Sequence, residues 1–310
     1  MQWSQIKTLF IFTFLILNIY LSIQFMNKQK LADLGVLEHR QSTFEELLES
    51  ENITIPESLH EESKERFISV RQRNFTDEEL QGIEALEDQK TVLVNKNLIV
   101  SQFEKKPSVP DNFGEDNEAI KEVLQKLIAF PEDFTFWNWN KELNILIFFQ
   151  KENDRPVYFN QNGILLVFLN DNNEAVFYTQ TMLDESGEQQ EPRKLIKSVE
   201  AIEKLYNSSE LSFGEEVTFV DIGFHTRVPL TNGVQVFVPV WKITVNDERN
   251  YFVNAIEGHI FSSNELDFLE ESIELNIERI QEMKDEKEMR SDILKFLNVK
   301  LEAINRGGTE

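Results

Sequence analysis

Nineteen residues, Thr8 to Met26, pass without a charge or a proline, directly after Ile6 and Lys7. As a helix this run reaches about 30 Å, the thickness of a bilayer's hydrocarbon core, and it predicts a transmembrane helix over 6–26 behind a short tail, 1–5. A cleaved signal peptide needs small residues at its cleavage site, and Phe25, Met26 and Asn27 are not small. The next stretch is polar and helix-compatible to about Ser50, with Ser42 and Glu45 at capping-box spacing, and reads as a stalk over 27–52.

Beyond the stalk the period shortens. In a first unit, 53–110, "FISVRQRNF" predicts a strand, Thr76 and Glu79 cap a helix over Asp77 to Leu86, and "TVLVNKNLIV" predicts another strand. "EKKPSVPDNFGED", with two prolines and a glycine, marks the best internal boundary. Over 111–264, a helix capped by Asp116 precedes the runs "ELNILIFFQ", "VYF", "GILLVFL" and "EAVFYTQTML". The turn residues between them predict antiparallel hairpins. A helix near Ser198 to Tyr206 comes next, then "EEVTFVDIGF", a turn at Thr231-Asn232-Gly233, and a long strand. In that strand Val234, Val236, Val238 and Val240 share one face, and Trp241, Ile243 and Val245 the other, so a bulge is expected beside Pro239. The fold class is α+β, antiparallel sheets with covering helices.

Residues 265–310 form a charged helical tail with one apolar stripe at Leu266, Leu269, Ile273, Ile277 and Ile280 and a second at Ile293, Leu297, Leu301 and Ile304. The "KDEKE" gap between them predicts a first part packed on the domain and a frayed, dispensable second part.

Charge then removes whole classes of function. The net charge is −24, and the first thirty residues hold three lysines and no acid, leaving −27 on the rest. That field opposes nucleic acid and anionic lipid heads. His39, His60, His225 and His259 lie scattered without metal spacing, there is no cysteine, and no nucleophile elbow or phosphate-cradling loop is present, so no metal, cofactor or catalytic residue is assigned. His225 and Arg227 near a strand end read more simply as a satisfied polar edge than as a catalytic pair. Trp137, Trp139 and Trp241 read as core.

One polar residue interrupts the apolar run. Asn18 and Ser22 are a turn apart, and Ile11, Leu15 and Phe25 complete their stripe. An amide facing lipid is unfavourable, whereas one facing another helix can exchange hydrogen bonds. This stripe is the predicted contact with a partner helix in the membrane; the plainer reading is a tolerated amide.

The opening "MQWSQIKTLFIFTFLILNIYL", then "ENITIP", "FISVRQRNFTDEELQ" and "PVWKITVNDERNYFVNAIEG", in that order, resemble the YycI family from Met1 to about residue 262. The resemblance implies a membrane-anchored, non-enzymatic regulator of the WalK sensor kinase of the WalRK two-component system, working through membrane helices with YycH and affecting cell-wall metabolism in low-GC Gram-positive bacteria. It implies a cytoplasmic N-terminus and an extracellular domain, against the weak opposite hint of Lys28 and Lys30. The tail lies outside the resemblance. The final strand pair also resembles the PepSY module, so a tethered extracellular module binding a peptidase or wall peptide is the alternative.

Overall fold

The structure is a computed structural model that describes residues 3, 7, 10–22, 44–59, 62–84, 86–111, 113–114, 128–186, 191–229, 233–261 and 263–307. Two helices come first, α1 (10–22) and α2 (44–50). The next elements are β1 (Lys64–Glu65), β2 (Ile68–Gln72), α3 (Asp77–Glu84), β3 (Gln89–Val94), β4 (Leu98–Phe103), β5 (Phe134–Asn140) and β6 (Ile145–Glu152). They are followed by β7 (Arg155–Tyr158), β8 (Ile164–Leu169), β9 (Ala175–Gln180), β10 (Leu183–Glu185), β11 (Arg193–Lys194) and α4 (Ser198–Asn207). Last are β12 (Val217–Pro229), β13 (Val234–Val245), β14 (Arg249–Asn254), β15 (Ile260–Phe261), α5 (Glu265–Gln281) and α6 (Lys287–Gly307).

Thirteen strands join in the order β10-β2-β13-β12-β7-β6-β8-β9-β4-β3, with β14 and β15 continuing from β13 and β5 added to β6. The pairing is antiparallel except at the middle, where β7 runs parallel to β12 through Phe224 opposite Val157 and His225 opposite Tyr158. The sheet is therefore mixed rather than wholly antiparallel. It also interleaves the two units expected from sequence, because β2 pairs with β13 and β4 with β9. The described part of the proposed boundary, 104–111 and 113–114, is packed rather than a free linker: Val109 and Phe113 are buried, and the Val109 amide donates to the Asn173 carbonyl at 2.8 Å.

Strand β6 shows why its sequence is a nearly unbroken apolar run. Ile145, Ile147 and Phe149 enter one core while Leu146 and Phe148 enter the core on the opposite face. Strand β8 divides in the same way, so both faces of this part of the sheet are dry. A third core lies between β12–β14, α4 and α2, and there Phe44 and Leu48 are buried. Over 44–50, then, the expected stalk is part of the packed domain. The capping box is realised: the Thr76 amide donates to Glu79 Oε2 at 2.8 Å and the Glu79 amide to Thr76 Oγ1 at 3.3 Å. The Thr76 amide first, then the Thr76 hydroxyl and Arg73, hold the Glu79 carboxyl below its usual range against the opposing effect of burial.

Three expectations need correction. "TVLVNKNLIV" is a hairpin, β3 and β4, because Asn95 and Lys96 take left-handed backbone angles, φ 49° and 65°, and reverse the chain without a glycine. No register shift occurs at Pro239; the shifts lie on β12, between Val217 and Phe219 and between Thr226 and Val228. Pro239, which has no amide to donate, sits where β13 passes from pairing with β2, through Phe237, to pairing with β14, from Val240. The second half of the tail is not frayed, since Met289, Ile293 and Leu297 of α6 are buried in the largest core, and Phe296 packs edge-on to Phe177 at 5.5 Å. The helix expected after Asp116 and most of the turn at Thr231-Asn232-Gly233 lie outside the described residues.

Glu265, in the first turn of α5, fixes the hairpin of α5 and α6 onto the sheet edge. Its carboxylate accepts from Trp137 Nε1 at 3.0 Å, Asn138 Nδ2 at 3.0 Å and Asn140 Nδ2 at 3.2 Å. Replacing Glu265→Ala removes three charge-assisted bonds and strands the Trp137 N–H, and is expected to cost about 2–3 kcal/mol in urea unfolding. Glu265→Gln, which keeps one acceptor oxygen, is expected to cost less.

Candidate interaction surfaces

Every described residue from Phe10 to Ser22 is exposed, Phe10 at 74 % and Ile16 at 64 %. A helix so largely apolar and exposed is suited to being covered by something other than water. Among the described residues no helix is long and apolar enough to cross a membrane; α1 comprises 13 of the predicted 21 residues, and the remainder of 6–26 lies largely outside the described residues.

The predicted contact stripe is partly visible. Phe10, Ile11, Phe14, Leu15 and Asn18 line one shallow groove of about 340 Å³. Asn18 Nδ2 donates to the Phe14 carbonyl at 3.0 Å, one turn back. This bond satisfies one amide hydrogen and lowers the cost of placing the residue in lipid. Ser22 lies on the same stripe, exposed, whereas Phe25 lies outside the described residues.

His225 is satisfied, but it lies inside the sheet rather than at an edge, paired with Val238 of β13 and Tyr158 of β7. Its ring stacks on Phe261 with centroids 4.8 Å apart, Nδ1–H donates to the Thr226 carbonyl at 3.2 Å, and Nε2 accepts from Ser263 Oγ at 3.3 Å. Burial lowers its pKa, against the opposing pull of the Thr226 bond. The side chain of Arg227 is outside the described residues. Trp241 and Trp139 are core, their N–H groups bonded to the Ile196 carbonyl and Asn144 Oδ1. Trp137 is only half-buried and carries the Lys242 ammonium 4.6 Å from its ring centre. Burial lowers the Lys242 pKa, and Asp221 across the strand pair opposes that shift.

A second surface was not anticipated. Where β6 turns into β7 and passes β10, a cleft of about 410 Å³ is lined by Glu132, Asp133, Glu152, Asp154, Asp184 and Glu185, with Arg73 and Lys151 at its side. Arg73 pairs with Glu79 and lies 3.7 Å from Asp184. Glu152 has its pKa pushed up to about 7, by burial first and then by Glu185, Asp184 and Asp133. Among the described residues no group of three or more His, Cys, Asp or Glu side chains has the arrangement to hold a metal ion. Abundant acids conceal such a cleft in the sequence; the one visible hint is Gln150, the polar residue ending the apolar run "ILIFFQ".

Compared with known proteins, residues 33–256 match the family described as YycI protein. No curated protein matches the chain. Among solved structures, an uncharacterized protein from Eubacterium rectale ATCC 33656 aligns over 69 % of this chain and 91 % of its own, at 11 % identity and a TM-score of 0.39. YycH from Bacillus subtilis aligns over 62 % of this chain and 55 % of its own, at 14 % identity and a TM-score of 0.33.

Proposed function

This chain belongs to the YycI family, and from that premise we propose that it is a regulatory membrane protein that modulates a WalK-type sensor histidine kinase by forming a complex with the kinase and a YycH-like protein. It works by contact rather than by turnover. In this reading 6–26 is a single span, the N-terminus is cytoplasmic, and the domain from residue 31 onward lies outside the cell membrane. The observation that supports it most directly, beside the family match, is α1, exposed and largely apolar, with Asn18 as its one amide. Lipid covers such a helix, and Asn18 gives one face of it a preference for another helix.

The interhelical contact is worth about 0.6–2 kcal/mol, or about three- to thirtyfold in association. Asn18→Leu is therefore expected to reduce co-purification of the kinase and the YycH-like protein by that factor at matched expression, with membrane insertion unchanged. Adding Leu17→Asn, which turns an amide to another face, should not restore it. Equal capture by all three chains would reduce Asn18 to a tolerated residue. A fusion of residues 1–35 that captures nothing, while the domain captures a peptidase or wall peptide, would instead favour the tethered binding module.

A further inference from the structure

The Gln150 side chain stands in for a strand. Its Oε1 accepts from the Leu183 amide at 2.7 Å and its Nε2 donates to the Leu183 carbonyl at 3.0 Å, so one carboxamide binds both backbone groups of Leu183 and ties the start of that short edge strand, β10, to β6. The second hydrogen of the same Nε2 goes to Glu152 Oε1 at 2.9 Å. Gly163 leaves the room: a Cβ there would stand 2.6 Å from Leu183 Cδ1 and 3.3 Å from Gln150 Oε1. Strand β10 has β2 on one side and this single amide on the other.

The charges around that joint are mismatched. Glu152 comes from the end of β6. Asp184 and Glu185 face it from β10, Asp133 and Glu132 from the turn before β5, and Asp154 from its own hairpin. The arginines lie on the carboxylates of β10 rather than on Glu152. Arg73 is shared between Glu79 and Asp184, and Arg66 lies 4.0 Å from Glu185; Lys151 is on the cleft wall beside Glu152. An ionised Glu152 thus pushes directly on the two carboxylates carried by β10, across the joint that Gln150 holds closed.

We propose that this cleft is a proton-operated latch: with a proton on Glu152, β10 is closed on β6 through Gln150, and loss of the proton releases β10. This rests on the fold and is independent of which kinase or partner the domain serves. The direction follows from linkage. In the closed joint Glu152 is protonated up to about pH 7, while its ordinary value is 4.5. Closure is therefore favoured as pH falls through 7, is fully favoured below 4.5, and is weakest above 7. A regulator carrying such a joint would change shape with the acidity of its surroundings.

Hydrogen exchange of the full-length protein in nanodiscs, corrected for the intrinsic pH dependence of exchange, tests this. The Leu183 amide is expected to exchange about tenfold or more slowly at pH 6 than at pH 8, with a midpoint near 7, and Glu152→Gln should exchange slowly at both. Protection of Leu183 that is equal at the two pH values, or a Glu152→Gln chain that still responds to pH as the wild type does, would overturn the latch. Should that variant not fold, Asp184→Asn with Glu185→Gln serves in its place. Removing two repulsive charges must move the midpoint to lower pH, and an unmoved midpoint refutes the proposal.

Discussion

A chain ending at residue 286 is expected to lose its cooperative thermal transition, or to melt more than 10 °C below the full-length protein. Helix α6 carries Met289, Ile293 and Leu297 at 3 %, 1 % and 0 % exposure, all in the core that also holds Phe168 and Phe177. Each fully buried aliphatic side chain is worth about 1.5–3 kcal/mol, so these three amount to about 5–9 kcal/mol before the half-buried Leu294, Phe296 and Leu301 are counted. The whole stability of a domain is about 5–15 kcal/mol. The milder Leu297→Ala, a cavity in the same core, should cost about 2–5 kcal/mol. Circular dichroism melts of the membrane-extracted proteins decide it, and a truncated chain melting within two degrees of full length would mean that α6 rests on the domain without stabilising it.

The helix α6 also explains what the sequence could not convey. Its stripe at Ile293, Leu297, Leu301 and Ile304 is plain in the periodicity, yet "KDEKE" reads equally as the end of order and as a tight corner between two packed helices. The structure makes it a corner: the Met283 carbonyl accepts from Arg290 Nη1 at 2.6 Å, and Glu286 pairs with Lys90 on β3. The family match stops at 256, so the two helices that complete the largest core lie beyond it.

Local chemistry was legible where it depends on neighbours in the chain. The Thr76–Glu79 box and the helix at Ser198 appear where their residues predict them, and the hairpin turn at Asn153-Asp154 takes left-handed backbone angles, φ 52° and 61°. Pairing between distant strands was not legible. Nothing in "FISVRQRNF" says that Ile68 lies beside Phe237, or in "VYF" that Tyr158 lies parallel to His225. That Asn18 and Ser22 are helical and exposed was legible from spacing alone. The acidic cleft was not, since its carboxylates come from positions 132 to 185 and are joined only by the fold.

The joint between the two halves of the sheet yields the other large expected effect. Gly223 of β12 lies against β7, and a Cβ at this position would stand 2.4 Å from Tyr158 Cε2 and 2.7 Å from the Pro156 carbonyl oxygen. Neither atom has somewhere to go. Tyr158 is 3 % exposed and its ring is wedged against Phe252 at 4.8 Å, Trp137 at 5.6 Å and Phe149 at 5.9 Å. The Pro156 oxygen is main chain in a strand paired on both sides. Overpacking a core costs about 1–3 kcal/mol where side chains can shift; with a backbone atom as one obstacle Gly223→Ala belongs at the upper end, about 3 kcal/mol. Gly82 supplies the control. It lies in α3 with nothing within 4 Å of the added carbon, and Gly82→Ala is expected to raise stability by about 0.5–1 kcal/mol through helix propensity alone. Urea unfolding followed by tryptophan fluorescence measures both, because Trp137 packs on Tyr158 and reports the joint itself. A Gly223→Ala chain as stable as the wild type would show that β7 and β12 can slide apart without cost, and that the sheet is two independent halves rather than one continuous body.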